Sequence, residues 1–292
     1  MLFQQIINGL VIGCVYALTA MGATLIYGIL RILDIANAAA YVIGAYLGWY
    51  IYKASGNIVL AFALSMILTG IIGVIIHRTI YAPILARPRI MPIIPLVASV
   101  SIFSLTSDVM RLVAGSGTKG YQITFHPDGF RITENMILTA QGLLILVMTA
   151  ALFAVLWFFL NKTKMGLAWR ASAEDMEIAQ AMGVNTKLSM AISYIIGYGF
   201  AAIAGMLVGI MYNSITPALG DVPSYKMLAI IVLGGLGNPL GTVLAGLLVG
   251  LAETLISVYL PIGLPKDSIA FIALIIVLLV KPDGLLSRKN KA

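Results

Sequence analysis

Nine apolar runs follow one another near residues 3–29, 35–52, 58–77, 91–113, 136–160, 189–211, 224–236, 239–260 and 267–280, with short polar joints between them. A run of about 20 apolar residues is long enough to cross a bilayer as a helix. Lipid offers the backbone no hydrogen-bond partner, so a spanning chain must close its bonds internally, as helices or as a closed barrel. Continuous runs without strict alternation select helices. The chain therefore reads as all-α, a polytopic helical membrane protein of about eight to nine transmembrane segments in one transmembrane domain, 1–292. Runs 224–236 and 267–280 are short and bordered by Pro or Gly, which predicts half-helices or tilted, protein-buried segments.

Composition agrees. Of 292 residues 61% are apolar and 10% charged, against about 25% charged in soluble domains. The net charge of +7 fits basic residues kept on one side of a membrane and does not call for nucleic acid. Counting all nine runs as crossings puts Arg31, Arg78, Arg87, Arg89, Lys162, Lys164, Arg170, Lys187, Lys281, Arg288, Lys289 and Lys291 on one face. Lys53, Lys119, Arg131, Lys226 and Lys266 fall on the other. Basic loops stay inside, so the N-terminus is expected outside and the C-terminus in the cytoplasm. The first run is too long for a cleaved leader and lacks a basic n-region. Cys14, the single cysteine, builds neither a disulfide nor a thiolate metal site within the chain, and reads as a small packing residue.

Glycines recur four apart at Gly9 and Gly13, Gly44 and Gly48, Gly205 and Gly209, and Gly246 and Gly250, a spacing that lets helices approach closely. The longest internal polar stretch, 161–188, sits on the basic face. Ser172 with Asp175 resembles a capping box, and Gly183 is placed to end a helix. The expectation is one amphipathic helix over about 173–182, with Met176, Ala179 and Met182 on one side and acids on the other. A helix lying flat on a membrane would favour Lys and Arg on its polar face; these acids favour docking against a partner protein.

Ionisable groups within the runs are few. Asp108 and Arg111 stand three apart and can pair on one helix face. Glu253 has no evident local partner and is a candidate for the solute path or an interface. Asp34 and Asn37 enter the bundle beside an apolar run; they read either as path residues or as helix caps. Gly234–Gly241 breaks the apolar pattern with Gly235, Gly237, Asn238 and Pro239, giving either a tight turn or a broken helix facing the path. His77 and His126 have no metal or nucleophile partners in sequence. Gly115–Gly120 lacks the Gly-Lys-Ser/Thr ending of a phosphate loop. The chain thus reads as a transport subunit and not an enzyme, with no cofactor.

The stretch RASAEDMEIAQAMGVN (170–185), followed by AAIAGMLVG (201–209), resembles the cytoplasmic coupling segment of the branched-chain amino acid ABC permeases. The resemblance extends to Asn8-Gly9, Tyr16-Ala17-Leu18, Tyr27-Gly28-Ile29, Gly44-Ala45-Tyr46, VLGGLGNPLGTVLAGLLVGLAETL (232–255) and Pro282-Asp283-Gly284-Leu285. It implies a binding-protein-dependent ABC importer in the bacterial cytoplasmic (inner) membrane. In such an assembly a second, related permease chain, two cytoplasmic ATP-binding subunits and a periplasmic solute-binding protein surround this subunit. It also implies that Arg170, Ala171, Glu174, Asp175, Ala179, Gly183 and Asn185 couple to the ATPase. Candidates for the solute path are Asn8, Tyr16, Asp34, Asn37, Gly235, Gly237, Asn238 and Glu253. Where the family carries Asn-aromatic-Ala-His-Gly, this chain has Asp34-Ile35-Ala36-Asn37-Ala38. Branched-chain amino acids are the default solute, with urea, short amides and other small solutes as alternatives. A stand-alone channel or secondary transporter is the competing class, and the acidic cytoplasmic segment argues against it.

Overall fold

The computed structural model describes residues 2–86, 93–123, 130–133, 136–259 and 266–281. His126, Arg87, Arg89, the Pro282–Leu285 block and the basic residues Arg288, Lys289 and Lys291 lie outside the described residues.

Twelve α-helices are described: α1 (Leu2–Leu30), α2 (Asn37–Ser55), α3 (Ile58–Ile76), α4 (Ala82–Leu85), α5 (Ile93–Ala114), α6 (Ala140–Lys162), α7 (Lys164–Glu174), α8 (Met176–Ala181), α9 (Thr186–Met211), α10 (Asp221–Gly234), α11 (Pro239–Tyr259) and α12 (Lys266–Val280). A π-turn, His77–Tyr81, carries α3 into α4, and a 3₁₀ turn, Pro217–Gly220, precedes α10. A short antiparallel hairpin, β1 (Phe130–Thr133) and β2 (Met136–Leu138), is the described exception to an all-helical chain.

Among the described residues six helices are long and apolar enough to cross a membrane: α1, α3 continued to Leu85, α5, α6, α9 and α11. The fold is thus an all-α polytopic membrane protein. Shorter α10 and α12 have 14 and 15 residues, in keeping with the two doubtful runs. The 19-residue α2 carries Asn37, Tyr41 and Tyr46 buried against protein.

Helix α1 is the core of the bundle. It packs against α11 along a seam where the paired glycines meet one another: a methyl group at Gly250 would overlap the Gly13 backbone, and one at Gly246 would come within 2.7 Å of Ala17 Cα. On its other side a methyl at Gly22 would overlap the Gly197 carbonyl of α9. Helix α2 closes on α9 in the same way, through Gly44 on Ala202 and Gly205 on the Tyr41 carbonyl. Small residues let backbones approach and gain dispersion contacts where lipid supplies no hydrophobic driving force. By contrast α3, α5 and α6 expose Val59, Ile67, Val97, Leu105, Val155 and Phe158, as a lipid-facing rim requires.

The bundle has two poles. At one, Arg31 at the end of α1 donates from Nη2 to the Ala173 carbonyl of α7 at 3.0 Å, and the Gly28 face of α1 lies against Trp169 of α7 and Gly237. Arg31, Arg78, Lys162, Lys164 and Lys187 lie at or near the ends of elements here, with Arg170 on α7, and it is called the basic pole. At the other pole Gln4 bonds both ways with the Ile137 backbone, Trp49 donates to the Gly120 carbonyl at 2.8 Å, and Lys119 and Ile215 exchange backbone bonds.

The stretch 161–188 departs from expectation. It forms two helices, α7 and α8, broken at Asp175. The cap of α8 is Asp175 itself, whose Oδ1 accepts from the backbone N–H of Glu177 and Ile178, each at 2.9 Å. Ser172 caps nothing: its hydroxyl donates to the Ala168 carbonyl and hydrogen-bonds Ser189. Gly183 ends the unit with φ +85°, as expected. Ala179 is buried, but Met182 is 81% exposed because it lies beyond the helix end.

Candidate functional site

A cavity of about 290 Å³ opens between α1, α9, the Pro217–Gly220 turn and α10. Its wall is mainly aliphatic, with Ile12, Val15, Val208, Leu219, Val222 and Ile230, and polar groups come from Tyr16, Thr19, Tyr41, Tyr212 and Lys226. Size and lining suit a small amphiphilic solute.

Lys226 is the one charged residue on that wall among the described residues. Its Nζ donates to Glu253 Oε2 at 2.9 Å and to the Tyr16 hydroxyl at 2.6 Å, and stands 2.8 Å from Glu253 Oε1. The Tyr16 hydroxyl in turn donates to Glu253 Oε2 at 2.8 Å, and the ammonium lies 4.6 Å from the Tyr16 ring centroid. Both charged side chains are at least 95% buried. Tyr16 is near the midpoint of α1, so the triad sits at mid-height in the bundle. Buried side chains of opposite charge at hydrogen-bond distance offset part of each other's lost hydration. The expectation that Lys226 lies in an outer joint is corrected: α10 begins at Asp221 and carries Lys226 inside the bundle. Glu253, which lacks a sequence neighbour to pair with, finds its partner on a different helix.

Asp34 lies elsewhere. It is buried in the joint between α1 and α2, where Oδ1 accepts from Tyr81 at 2.6 Å and from the Ala36 N–H at 3.0 Å, and Oδ2 accepts from Tyr198 at 3.2 Å. Tyr81 and His77 come from the π-turn, and Tyr194 packs on both and on Tyr198. The carboxylate thus ties three elements together near the basic pole. Asn37 is also fully buried and donates to the Thr19 carbonyl at 3.1 Å and toward Met227 Sδ at 3.8 Å, one layer behind the cavity wall. The N-cap residue of α2 is Ala36, whose side chain makes no cap bond.

Gly234–Gly241 is a tight turn at the basic pole. Gly235 and Gly237 have φ of +99° and +79°, which side chains disfavour, and Asn238 Oδ1 accepts from Leu240 and Gly241 N–H to start α11. None of the three lines the cavity. Asn8 pairs with Gln4 at the opposite pole. Of the path candidates, Tyr16 alone is on the cavity wall, with Glu253 directly behind it. Asp108 and Arg111 pair at 3.3 Å on an exposed face of α5.

The coupling candidates cluster on α7, α8 and the joint that leads into α9. Arg170, Glu174, Asp175, Gly183 and Asn185 are exposed at the basic pole, Ala171 is half-buried and Ala179 buried. Trp169 bolts this unit to the bundle, donating from Nε1 to Ser193 Oγ of α9 at 2.6 Å and packing on Gly28 of α1.

Comparison with known proteins places this architecture. Residues 5–280 match the family described as "Branched-chain amino acid transport system / permease component". The chain is similar to the high-affinity branched-chain amino acid transport system permease protein LivH of Escherichia coli, 34% identical over 98% of this chain and 95% of that one. It is also similar to BraD, of the same description, from Pseudomonas aeruginosa, at 33% over 98% and 95%. A probable branched-chain amino acid transport permease of Methanocaldococcus jannaschii is 25% identical over 97% and 92%. With a match along nearly its whole length, a helical bundle of the right kind and a mid-height cavity, the chain belongs to the branched-chain amino acid transport system permease family.

Proposed function

We propose that this subunit carries branched-chain or closely related amino acids across the bacterial inner membrane as one permease of a binding-protein-dependent ABC importer. A second, related permease chain completes the channel, two ATP-binding subunits dock on the basic pole, and a binding protein delivers solute at the other. The basic pole then faces the cytoplasm, in line with the retention of Lys and Arg on that side. The transmembrane unit is a single domain, with 161–188 as its coupling segment.

The observation that carries this reading is the α7–α8 unit. It projects exposed apolar side chains, Ile178 at 64% and Met182 at 81%, beside the acidic residues Glu174, Asp175 and Glu177, while Trp169 locks its root onto α1 and α9. A stand-alone channel has no use for such a lever. A push on α8 reaches through Trp169 to two of the helices that form the cavity, which is how a nucleotide-driven motion becomes alternating access.

Ile178→Asp combined with Met182→Asp is expected to lower binding-protein-stimulated ATP hydrolysis by about tenfold, since desolvating a new charge at an interface costs on the order of 1.4 kcal/mol or more. Both positions are exposed, so the amount in the membrane stays at the wild-type level. Undiminished stimulation in proteoliposomes overturns the docking assignment. Uptake of labelled leucine by the wild-type assembly, without uptake of urea, tests the solute class.

A further inference from the structure

We propose that Lys226 is the cation that receives the solute's carboxylate in the cavity, held ready by Glu253 and Tyr16, so that the path itself favours solutes with a free carboxylate. This rests on the reading of the chain as an amino-acid permease and names the residue through which that selectivity acts.

The placement of the three side chains carries the inference. Lys226 and Tyr16 are on the cavity wall, whereas Glu253 is not; the Lys226 side chain therefore borders the solute space on one side and meets its carboxylate partner on the other. A charge inside a transmembrane bundle is costly, and where it lines a cavity it marks a path. If the pair served packing alone, nothing would require its cationic member to border the cavity. Glu253 and the Tyr16 hydroxyl hold the ammonium, and the pair keeps the wall neutral. When a zwitterion enters, its carboxylate joins or replaces an acceptor of the three-donor ammonium, and its aliphatic side chain meets Ile12, Val15, Val208 and Ile230. Pair and zwitterion are each net neutral, so the solute binds without a counter-ion. Lysine suits the task as a compact ammonium on a flexible stem that can exchange partners.

Lys226→Met with Glu253→Gln removes both charges at little change in volume, and a purely structural pair tolerates such a replacement. Reconstituted with its partner subunits and binding protein, this double variant is expected to accumulate and melt like the wild type, yet to take up labelled leucine about thirtyfold more slowly. Lys226→Arg, which restores a cation, is expected to recover most of that rate. A double variant that transports leucine at the wild-type rate overturns the inference and leaves the amino-acid reading standing. Wild-type vesicles that take up urea but not leucine sink that reading, and this inference with it. A second measurement needs no variant: without binding protein, millimolar leucine should raise the melting temperature of the wild-type complex and leucinamide, which lacks the carboxylate, should not. Equal shifts from the two ligands also overturn the proposal.

Discussion

Gly205→Val should all but remove the protein from the membrane. Any side chain at Gly205 drives its Cβ into the Tyr41 carbonyl of α2, and Gly44 meets Ala202 on the same interface. Neither backbone can yield, because α9 is held on its other face by Gly197 against Gly22 of α1. A flexible side chain could swing aside from such a clash, but a carbonyl fixed within a helix cannot. Overpacking of an ordinary core costs about 1–3 kcal/mol, and a backbone contact belongs at or above the top of that range. Set against a total stability of about 5–15 kcal/mol, a valine with its branch at Cβ leaves little folded protein. Gly205→Ala should show a smaller loss in the same direction. The measurement is the amount of monodisperse protein recovered in detergent, and wild-type recovery of the valine variant would mean that α2 and α9 are not packed as described.

The second large effect is expected at Asp34. Asp34→Leu removes the acceptor of three buried donors, the hydroxyls of Tyr81 and Tyr198 and the Ala36 N–H. A buried donor left without its partner costs about 1–3 kcal/mol, more when the lost acceptor was charged. A total of roughly 3–9 kcal/mol follows if the three losses add, read as a fall in melting temperature. Adding Tyr81→Phe and Tyr198→Phe deletes the stranded hydroxyls and should return a large part of the loss, because removing both partners is far milder than removing one. A triple variant no more stable than Asp34→Leu alone would mean that the tyrosines do not depend on the carboxylate. Leucine uptake by whatever folded triple variant remains separates a structural tie from a path residue.

These two sites show which parts of the molecule can be read from sequence. Glycine spacing predicted close helix contacts, and all of the paired glycines but Gly209, which packs on Tyr121 and Ile215, form them, but spacing could not say that Gly13 and Gly250 face one another from opposite ends of the chain. Asp34 was legible as a polar residue in an apolar setting. Its partners were not, because Tyr81 and Tyr198 reach it through a π-turn and a distant helix that no local pattern foretells. In the coupling segment the end at Gly183 was plain, while the start was misplaced: Ser172 spends its hydroxyl on a carbonyl of its own helix, leaving Asp175 to offer the following N–H groups a cap and break the helix there.

Lys226 was missed for a geometric reason. Gly234 and Gly241 mark a common level at the α10–α11 turn, and at 1.5 Å per residue Lys226 lies about 12 Å above it and Glu253 about 18 Å. The two appear mismatched in height. Side chains lean toward the N-terminus of their helix, however, which in this antiparallel hairpin brings Lys226 upward and Glu253 downward until they meet.

The same hairpin bears on how the protein is made. A lysine at the centre of a helix opposes insertion by about 2.5–3.5 kcal/mol, and α10 offers only 14 residues against it. On its own, α10 is a poor substrate for the insertion machinery. Its charge is neutralised only once Glu253 of α11 has been synthesised 27 residues later, alongside an α1 already in place. Ribosome-bound chains should therefore hold α10 at the membrane surface until α11 emerges, and the two should enter the bilayer as a pair, with α1 serving as the template on which they settle.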